Sequence, residues 1–403
     1  MLLKGIKVLD LAVYGQGPLV SAILSDLGAD VIKIEDIRVG DPMRALQELW
    51  GVKQQVSIDG RQTEVGYEFY SHGRRGLALD YESPAGQEVL ERLVRRSDVF
   101  THNLRKKRVA KLGLGYERIG QLNPAIVYHD NLAFGSRGPW ADAPAFDGNM
   151  VGYSGLMYAA SGTPDEPEGL VGAIGDFSGG SWGAMAILAA LVARSTNGGH
   201  GMQVETSQLG GLIALLSLTF TNVALTGLEF NRESREDASN PLFSWYRTSD
   251  DKWITLTVTD SARYWPVLCT AIGRPELASD PRAQTLEAVR ENRVWIRDLL
   301  DEGFRRRTRQ SLLDELRAGN VFCSPILTPI EAYTDEQVRA NGYIGAVPGM
   351  SVDLPVSPVK VNGEPVTISM RAPLPGEHTN EVLAELGYDA DQVRQLRAAE
   401  VVR

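Results

Sequence analysis

The fold is decided near the N-terminus by residues 7–35, KVLDLAVYGQGPLVSAILSDLGADVIKIE. Within this stretch, Lys7–Ala12 and Asp30–Glu35 are short apolar runs of the kind that form buried strands. A glycine-rich turn at residues 13–18 separates the first run from Leu19–Leu27, which has helical spacing. The order strand, turn, helix, strand predicts one unit of a parallel sheet, with functional residues at the carboxyl ends of its strands.

Beyond the second strand the same alternation continues. Ser83 and Pro84 form an N-cap and first-turn pair that opens another helix. Strands are predicted at Asp98–His102 and Ala125–Asn131, with a basic helical stretch, Arg105–Leu122, between them. Strands that alternate with helices predict an α/β fold, in which a parallel sheet carries helices on its faces.

The composition changes along the chain and predicts two domains. From Asn149 to Gly227 the sequence is helix-rich and apolar, and a charged linker, NRESREDASN, follows at residues 231–240. A hairpin and amphipathic helices come next, and then a proline-rich stretch without helical period. We therefore predict a large domain whose first part is 1–230, a smaller domain at 240–345, and a return to the large domain at 346–403.

Charge and rare residues exclude several kinds of protein. The chain of 403 residues has 41 Lys and Arg against 51 Asp and Glu, and this net charge of −10 argues against a nucleic-acid partner. Its two cysteines, Cys269 and Cys323, are too few for a disulfide framework and predict a cytoplasmic location. No His, Cys or acid cluster has metal-ligand spacing, so no metal site is expected. An enzyme with this composition needs a nucleophile other than a Cys–His pair.

Two long uncharged stretches raise the question of whether the chain crosses a membrane. They are Phe177–Ala193 and Leu209–Gly227, and the second is close to the length that spans a bilayer. It contains Ser217, Thr219 and Asn222, however, and helices that are apolar all round are usually buried in large soluble proteins. We predict that both lie in a core or an oligomer interface, and that there is no membrane partner.

The first turn partly imitates a dinucleotide-binding fingerprint. Gly15-Gln16-Gly17 follows a strand and precedes a helix, and Glu35 ends the next strand. Val20 stands at the third glycine position, and Pro18 removes one amide that would face phosphate. The pattern therefore favours a tight turn, or a turn that touches another nucleotide-bearing ligand, over a dinucleotide site.

Several motifs in fixed order resemble the family III CoA-transferases, the CaiB/BaiF family, and the local texture and length are most similar to its carnitine-type and dicarboxylate-type members. The resemblance covers essentially the whole chain, which makes it far more specific than any single motif. The blocks that carry it are LKGIKVLDL at 3–11, DLGADVIKIE at 26–35, GDPMR at 40–44, GRRGLALD at 73–80, DVFTHNLRKKRVAKLGLG at 98–115, AFG at 133–135, GPW at 138–140, AFD at 145–147, GDFSGG at 175–180 and GHGMQVE at 199–205.

The resemblance implies a fold and an activity. Members of the family have a Rossmann-like parallel sheet in a large domain, a smaller α+β domain, and two chains interlocked as rings in a homodimer. They transfer coenzyme A between carboxylic acids through a nucleophilic aspartate, whose place Asp176 occupies. The implied partners are acyl-CoA and carboxylate substrates and a second copy of the chain. Coenzyme A is a substrate here, and no permanently bound cofactor is implied.

The chemistry of Asp176 is consistent with this role. A carboxylate can attack a thioester to give a mixed anhydride, and the released thiolate then forms an aspartyl-CoA thioester. No base is needed because both nucleophiles are anions, which suits a chain with few histidines. Backbone amides near Gly175, Gly179 and Gly180 are candidates to stabilise the oxyanion. From the local sequence alone, an Asp before a helix is more often an N-cap.

The phosphates of coenzyme A require cations and amides. The run Arg105–Lys111 contains five basic residues, and a solvated helix face is the alternative reading for Lys106, Lys107 and Arg108. Leu104 stands where the family often has Phe, so stacking by that aromatic is lost. By position in the family pattern, the coenzyme A contacts are expected from Tyr14, Gly15, Gln16, Arg38, Arg74, Arg75, Asn103, Leu104, Arg105 and Lys111.

Two other activities on the same fold remain open. α-Methylacyl-CoA racemases of this fold use a His before an Asp, and the corresponding residues here are Phe146 and Asp147, expected in the substrate pocket. Phe146 cannot carry a proton, which weakens the racemase interpretation, whereas the segment after Asp176 is racemase-like. An intramolecular transfer between two carboxyls of one diacid is the other alternative. A pure binding protein would be indicated by loss of Asp176, which is present.

Overall fold

A six-stranded parallel sheet forms the centre of the larger part of the chain. The computed structural model describes residues 1–161, 166–229 and 233–403. The sheet strands are β1 (Lys7–Asp10), β2 (Asp30–Asp36), β3 (Arg75–Leu79), β4 (Val99–His102), β5 (Val127–Leu132) and β6 (Met202–Ser207). Their spatial order is β3-β2-β1-β4-β5-β6, and every neighbouring pair is parallel. This is the doubly wound order, in which ligands bind where the winding direction reverses, between β1 and β4.

Helices cover both faces of this sheet and continue into the rest of the chain. The described helices are α1 (Gln16–Asp26), α2 (Val65–Ser71), α3 (Pro84–Val94), α4 (Lys106–Leu112), α5 (Tyr116–Leu122), α6 (Asp147–Tyr153), α7 (Leu156–Ala160), α8 (Ile174–Thr196), α9 (Gln208–Leu215), α10 (Ser217–Thr226), α11 (Ser261–Ala271), α12 (Leu286–Glu291), α13 (Arg293–Phe304), α14 (Arg309–Ala318), α15 (Pro329–Thr334), α16 (Glu336–Ala340), α17 (Thr379–Glu385) and α18 (Ala390–Ala398).

Each face of the sheet has its own apolar core. On one face, Val20 of α1 and Ile187 of α8 pack against strand residues such as Val99. On the other face, side chains of α3, α5 and α17 pack together, for example Leu90 and Val382. Because both faces are covered, the inner strands β1 and β4 and the strand β3 are almost fully buried, whereas the edge strand β6 alternates between more and less exposed residues.

Two features of the sheet region differ from the sequence prediction. Strand β3 was not predicted, because GRRGLALD begins with two arginines and a glycine and so resembles a surface turn. The predicted helix Arg105–Leu122 is two helices, α4 and α5, separated at Gly113, which has a left-handed backbone with φ 63°. The chain end returns to the sheet, where Val402 bridges Leu79 at the edge strand.

Helices α1 and α8 approach closely because α8 presents glycines to α1. A Cβ at Gly179 would lie 2.5 Å from the Gln16 Nε2, and one at Gly180 would lie 2.9 Å from the Leu19 Cδ2. A Cβ at Gly183 would lie 2.7 Å from a Val20 methyl group. Gly179 and Gly180 therefore serve packing inside the helix pair, and both lie beyond the first turn of α8, which begins at Ile174.

The two uncharged stretches lie on α8, α9 and α10. Among the described residues, α8 is long and apolar enough to cross a membrane by length and composition. Helices α9 and α10 pass the same test only as a pair, and they are bent by 68° relative to each other. One side of α8 packs against α1, α9 and the sheet, which explains part of its apolar character, whereas Phe177, Trp182 and Val192 on the same helix are exposed.

The smaller unit is formed by Tyr158–Pro167 and Asn231–Glu336. An antiparallel sheet of Trp245–Arg247, Trp253–Leu256 and Cys323–Ile326 packs with α11 to α14. The predicted hairpin is present, whereas the third strand was not predicted. The larger unit comprises Met1–Met157, Glu168–Phe230 and Gln337–Arg403, so it also holds residues 337–345, which had been assigned to the smaller domain. The predicted boundary at 230 lies outside the described residues.

Candidate active site

A cavity of about 1040 Å³ opens at the carboxyl ends of the sheet strands. Residues 13–16 after β1 and 103–108 after β4 line it, so it lies at the reversal of the sheet. Residues 131–133 at the end of β5, Gln208 after β6, and Asp176 of α8 complete this part of the wall. The volume is at the upper end of that of small-molecule sites and suits a large ligand.

Asp176 lies in the first turn of α8 and is held by three hydrogen bonds. Its backbone N–H donates to the Asp147 Oδ1 at 2.8 Å. The Gln208 Nε2 donates to the Asp176 Oδ1 at 2.6 Å, and the backbone N–H of Gln16 donates to the same carboxylate. These bonds fix the carboxylate in one orientation at the cavity wall. The positive end of the α8 dipole adds a field that favours negative charge there.

Burial and, as the second cause, the neighbouring negative charge of Asp147 together raise the pKa of Asp176 to about 7. The hydrogen bonds from Gln16 and Gln208 oppose this effect without cancelling it. Burial also raises the pKa of Tyr70 above its ordinary value, with Asp176 and Asp147 as secondary causes. A carboxyl group with such a pKa lies in a desolvated site, which is typical of catalytic rather than capping residues.

Backbone strain is concentrated at the cavity. Tyr14, Trp50 and Ala173 have positive φ values of 66°, 50° and 51°, although none of them is glycine. All three line the cavity, and they are three of the eight described non-glycine residues with positive φ. Such conformations cost free energy and persist where the surrounding structure enforces them, which is common at functional sites.

Buried polar contacts hold the turn after β1 in place. Lys33 and Asp41 form a fully buried ion pair at 2.9 Å, and the Asp41 Oδ1 accepts from the Tyr14 N–H at 3.1 Å. Asn103 accepts from the backbone of Val13 at 2.9 Å and donates back to it at 2.7 Å. Asn103 therefore positions the turn, and it also lines the cavity.

The sequence-predicted residues of the first turn all lie at the cavity. Tyr14, Gly15 and Gln16 line it, and the Gln16 Nε2 donates to the Asn131 Oδ1 at 2.5 Å. Leu104 also lines it, although its side chain is mostly buried in the core beneath. The turn and the start of the basic segment are thus brought together, as the resemblance implied.

Three predicted arginines do not line the cavity. Arg74 is fully buried and forms an ion pair with Asp10 at 2.7 Å, so it has no surface for a ligand. Arg75 is held by three carboxylates, of Asp30, Glu381 and Glu385. Arg38 is exposed and pairs with Asp36 at 2.8 Å. The structure contradicts the expected ligand contact for Arg74, and it places Arg75 and Arg38 among structural ion pairs.

We expect Arg74→Met to destabilise the fold by about 3–5 kcal/mol, because it leaves the Asp10 carboxylate buried without its partner. Urea unfolding measures this loss. The variant Arg38→Ala, which removes an exposed cation, should unfold at nearly the wild-type urea concentration. A folded Arg74→Met protein with normal stability and a raised KM for its substrate would restore the binding role.

The basic segment divides into paired and unpaired cations. Arg108 and Lys111 pair with Glu82 at 2.7 and 3.4 Å. For Arg105 and Lys107, no carboxylate within the described part of the chain lies at ion-pair distance, and both side chains are exposed at the cavity. The Lys106 Nζ donates to a backbone carbonyl at 2.5 Å. Arg105 and Lys107 are therefore the cations most available to an anionic ligand.

Phe146 and Asp147 both line the cavity, as expected for a substrate pocket. Phe146 is exposed and packs edge-on against Tyr14, with ring centroids 5.3 Å apart. No histidine is among the described residues that line the cavity. Burial lowers the pKa of His129 to about 3, and this side chain bonds to Thr101 and Thr206 inside the sheet. The described residues of the cavity wall therefore offer no His–Asp pair of the kind that a two-base enzyme uses.

Three residues at the site were missed by sequence reasoning. Gln208 begins α9 directly after β6, and this position at a strand end was the available signal. Tyr70 ends a short helix that the sequence pattern does not show, and Trp50 lies at a hairpin tip. The contacts of Gln208 and Tyr70 with Asp176, and the place of Trp50 in the same cavity wall, depend on packing between segments far apart in the chain, which no local pattern encodes.

The fold and the site together define an α/β enzyme with a desolvated carboxylate beside a large cavity edged by cations. The model of CoA-transferase family III matches residues 3–379, so the chain belongs to that family. It is 31% identical to a succinate–glutarate CoA-transferase of Agrobacterium fabrum, over 95% of both chains. It is 26% identical to the human α-methylacyl-CoA racemase, over 100% of this chain and 98% of the other. A crystal structure of a CaiB/BaiF family protein from Brucella suis matches with TM-score 0.85 and 28% identity, covering 95% of this chain and 98% of that one.

Proposed function

We propose that this enzyme transfers coenzyme A between carboxylic acids with Asp176 as the covalent nucleophile. The observation that supports this best is the desolvated Asp176 carboxylate, held by Gln208 and Gln16 at the wall of the cavity. A carboxylate that has lost hydration is a stronger nucleophile than one in water.

The reaction is balanced in four steps. The Asp176 carboxylate attacks the thioester carbonyl and expels the CoA thiolate, which gives a mixed anhydride. The thiolate then attacks the aspartyl carbonyl and releases the first carboxylic acid as its anion, which leaves an aspartyl-CoA thioester. An acceptor carboxylate attacks this thioester and expels the CoA thiolate, which gives a second anhydride. The thiolate finally attacks the acceptor carbonyl of this anhydride and displaces the Asp176 carboxylate. The product is the new thioester, and the Asp176 carboxylate is restored.

An acyl-enzyme trap tests this proposal. The enzyme is incubated with an acyl-CoA donor, treated with hydroxylamine and digested, and the peptides are analysed by mass spectrometry. We expect a hydroxamate at Asp176, because hydroxylamine attacks aspartyl thioesters and anhydrides. Asp147, the other carboxylate in contact with this helix start, serves as the internal control and should stay unmodified. Turnover without any label at Asp176 would contradict the proposal.

We place the phosphates of coenzyme A along the segment Arg105–Lys111, with Arg105 and Lys107 as the leading contacts. The variant Arg105→Gln should raise KM for acyl-CoA about tenfold with little change in kcat, since a hydrogen bond to a charged group contributes about 1.5–3 kcal/mol. Steady-state kinetics measures this. Lys4→Gln, which removes an exposed cation away from the cavity, is the matched control. An equal KM in both variants would place the phosphates elsewhere.

Racemisation is the second candidate function, because the chain is similar to a racemase as well. The residue before Asp147 is Phe146, and no histidine of the described cavity wall is available as its replacement. Exchange of the α-deuterium of a 2-methylacyl-CoA measures this activity. We expect CoA exchange between acids to be faster than loss of deuterium. An intramolecular transfer would appear as CoA migration within one diacid when no second acid is added.

The pH dependence follows from the raised pKa of Asp176. Only the carboxylate form is nucleophilic, so kcat/KM should fall about tenfold per pH unit below about 7 and level off above it. The variant Asp147→Asn keeps a side-chain oxygen for the Asp176 N–H but removes the neighbouring charge. Its profile should therefore shift to lower pH. A flat wild-type profile between about pH 5 and 8 would show that Asp176 does not titrate there.

We also propose that two copies assemble as a homodimer of interlocked rings, as the resemblance implies. The support is an exposed apolar face on α8 to α10, since contiguous apolar surface of this kind marks interfaces. The larger unit is built from segments before and after the smaller one, which ring-like interlocking requires. The exposed apolar side chains are Phe177, Trp182, Met185, Val192, Ile213, Leu215, Leu218, Phe220, Val223, Leu225 and Leu228.

Light scattering coupled to size-exclusion chromatography tests the dimer. We expect twice the chain mass of 44.0 kDa at all practical concentrations. The variant Leu218→Glu should weaken the association, because it places a charge on this face. A monomeric protein that floats with lipid vesicles would contradict both the dimer and the predicted absence of a membrane partner. The cytoplasmic location likewise stays a prediction.

A further inference from the structure

A small hairpin beside the cavity has a tryptophan at its tip. Leu49 pairs with Val52 in antiparallel register, so the loop consists of Trp50 and Gly51 alone. Both loop residues have positive φ, of 50° and 76°, as type I′ turns require. Asn, Asp and Gly are the residues that such turns favour, and Trp is a poor choice for this conformation. The turn geometry therefore does not explain Trp50, whereas its place in the cavity wall does.

The wall between this tip and Asp176 is apolar. Met43 and Tyr70 pack in one cluster, with Leu46 against it, and all three line the cavity. Tyr70 also reaches the catalytic turn, because a Cβ on Gly15 would lie 3.2 Å from the Tyr70 ring. The sequence from Met43 to Tyr70 contributes no charged residue to the described cavity wall. The surface next to the reacting carboxylate is thus made of aromatic and aliphatic groups.

Arg44, a cation within the sequence from Met43 to Tyr70, is bound to other residues. The Arg44 Nε donates to the Glu35 Oε2 at 2.8 Å, and its guanidinium lies 3.5 Å from the centre of the Tyr67 ring. It does not line the cavity. Within the described wall, every cation belongs to the segment 105–111, where the phosphates of coenzyme A are placed. Outside that segment, the described cavity wall offers no cation for a second carboxylate on the acyl group.

Negative charge near Asp176 further disfavours an acyl group that carries a second carboxylate. Asp142 and Asp147 line the same cavity, and Asp147 is in contact with the start of α8. A distal carboxylate on the substrate would meet these charges and would exchange part of its hydration for contact with Leu49 and the half-exposed Trp50. Burying an unpaired charge costs several kcal/mol, whereas an alkyl or aromatic group gains from the same surface.

From these observations we propose that the acyl half of the cavity selects apolar acyl groups without a second carboxylate, and that Trp50 is the residue that determines this preference. The inference builds on the proposed CoA-transferase function and deepens it. It separates this chain from what the name of its relative, a succinate–glutarate CoA-transferase, would suggest. Trp50 contacts the acyl chain, while the Gly15 turn and Asp176 carry the chemistry.

Two thioesters of similar length test the preference. Hexanoyl-CoA and glutaryl-CoA differ chiefly in whether the acyl chain ends in an ethyl group or in a carboxylate. With one fixed acceptor, we expect kcat/KM for hexanoyl-CoA to exceed that for glutaryl-CoA by about 30-fold or more. A preference for glutaryl-CoA would overturn the inference.

Substitutions assign the preference to this wall. Trp50→Ala should lower kcat/KM for hexanoyl-CoA about tenfold and leave glutaryl-CoA nearly unchanged, whereas Trp50→Phe should keep the wild-type ratio. Val52→Ala, on the same hairpin but outside the cavity wall, is the matched control. Leu49→Arg should raise relative use of glutaryl-CoA, because it supplies the missing cation. Equal ratios in the wild type, Trp50→Ala and Leu49→Arg would overturn the role of Trp50.

The hydroxylamine trap distinguishes a failure of this selectivity proposal from a failure of the proposed CoA-transferase mechanism. If Asp176 is labelled by both thioesters and glutaryl-CoA is preferred, the selectivity proposal fails and the CoA-transferase mechanism stands. If neither thioester labels Asp176 while turnover occurs, the mechanism fails first. Selective labelling by hexanoyl-CoA supports both.

Discussion

Asp176→Asn is expected to lower kcat for CoA transfer by about a thousandfold or more, while the protein stays folded. Asn is nearly isosteric with Asp, and its side-chain oxygen can still accept the hydrogen bond from Gln208 that now reaches Asp176 at 2.6 Å. It is not a carboxylate, however, so neither the anhydride nor the aspartyl thioester can form. Exchange of labelled CoA between two acids measures the loss.

The folding stability of Asp176→Asn distinguishes a catalytic role of Asp176 from a helix-capping role. The folded-state pKa of about 7 is raised above the ordinary 3.8, so the favourable contribution of the protonated group is complete below about pH 4. That contribution is lost as the pH rises through 7. At pH 8 the ionised Asp176 therefore destabilises the fold, and Asp176→Asn should be as stable as the wild type or more so.

Thermal unfolding at pH 8 supplies the control. An N-cap would behave in the opposite way, since removal of a cap usually costs stability without abolishing a reaction. Asp147→Asn is the matched variant, because it removes the carboxylate that accepts from the same helix start. It should retain most of its CoA-transfer activity at pH 8. Full CoA transfer by Asp176→Asn would remove Asp176 from the mechanism.

Parts of the fold could be predicted from the sequence where the apolar pattern of a single segment is enough to indicate a strand or a helix. The strands β1 and β2 and the helix between them follow from apolar runs and a turn within 29 consecutive residues, 7–35. Strand β3 was not predictable in this way. Its neighbour Arg74 is buried only because Asp10, 64 residues away, supplies a countercharge. The residues around an arginine in the sequence do not show whether its side chain is buried. The ligand role predicted for Arg74 was wrong for this physical reason.

The candidate site also contains some residues that motifs in the sequence identify and others that only the packing of distant segments brings in. Asp176 and the turn at Tyr14–Gln16 were recognised from motifs, and the structure places them together at one cavity. Gln208, which orients Asp176, comes from a strand end 32 residues later and has no motif of its own. The pKa of Asp176 is likewise a property of burial and of Asp147, neither of which the local sequence records. The partners of Asp176 and its desolvation are therefore set by contacts between segments that lie far apart in the chain.

Gly15→Ala is expected to lower kcat about a hundredfold, although it adds a single methyl group. A Cβ at this position would lie 2.8 Å from the Asp176 Cγ and closer still to its Oδ2, while the Tyr70 ring blocks relief at 3.2 Å. The carboxylate must therefore move by the order of 1 Å, and a displacement of this size at a reacting group costs about a hundredfold. It would also strain the hydrogen bond from the next residue, Gln16, to Asp176.

A matched glycine shows whether the methyl group acts through Asp176. Gly148 lies in the same cavity wall, within α6, and a Cβ there meets no atom within 4 Å. Gly148→Ala should keep kcat and stabilise the helix by about 1 kcal/mol. In Gly15→Ala we expect the kcat loss to exceed any rise in KM, because the reacting group moves while the phosphate contacts stay. Retention of kcat within threefold, in a folded Gly15→Ala enzyme, would mean that Asp176 is free to relocate. Its fixed orientation would then not be the source of its reactivity.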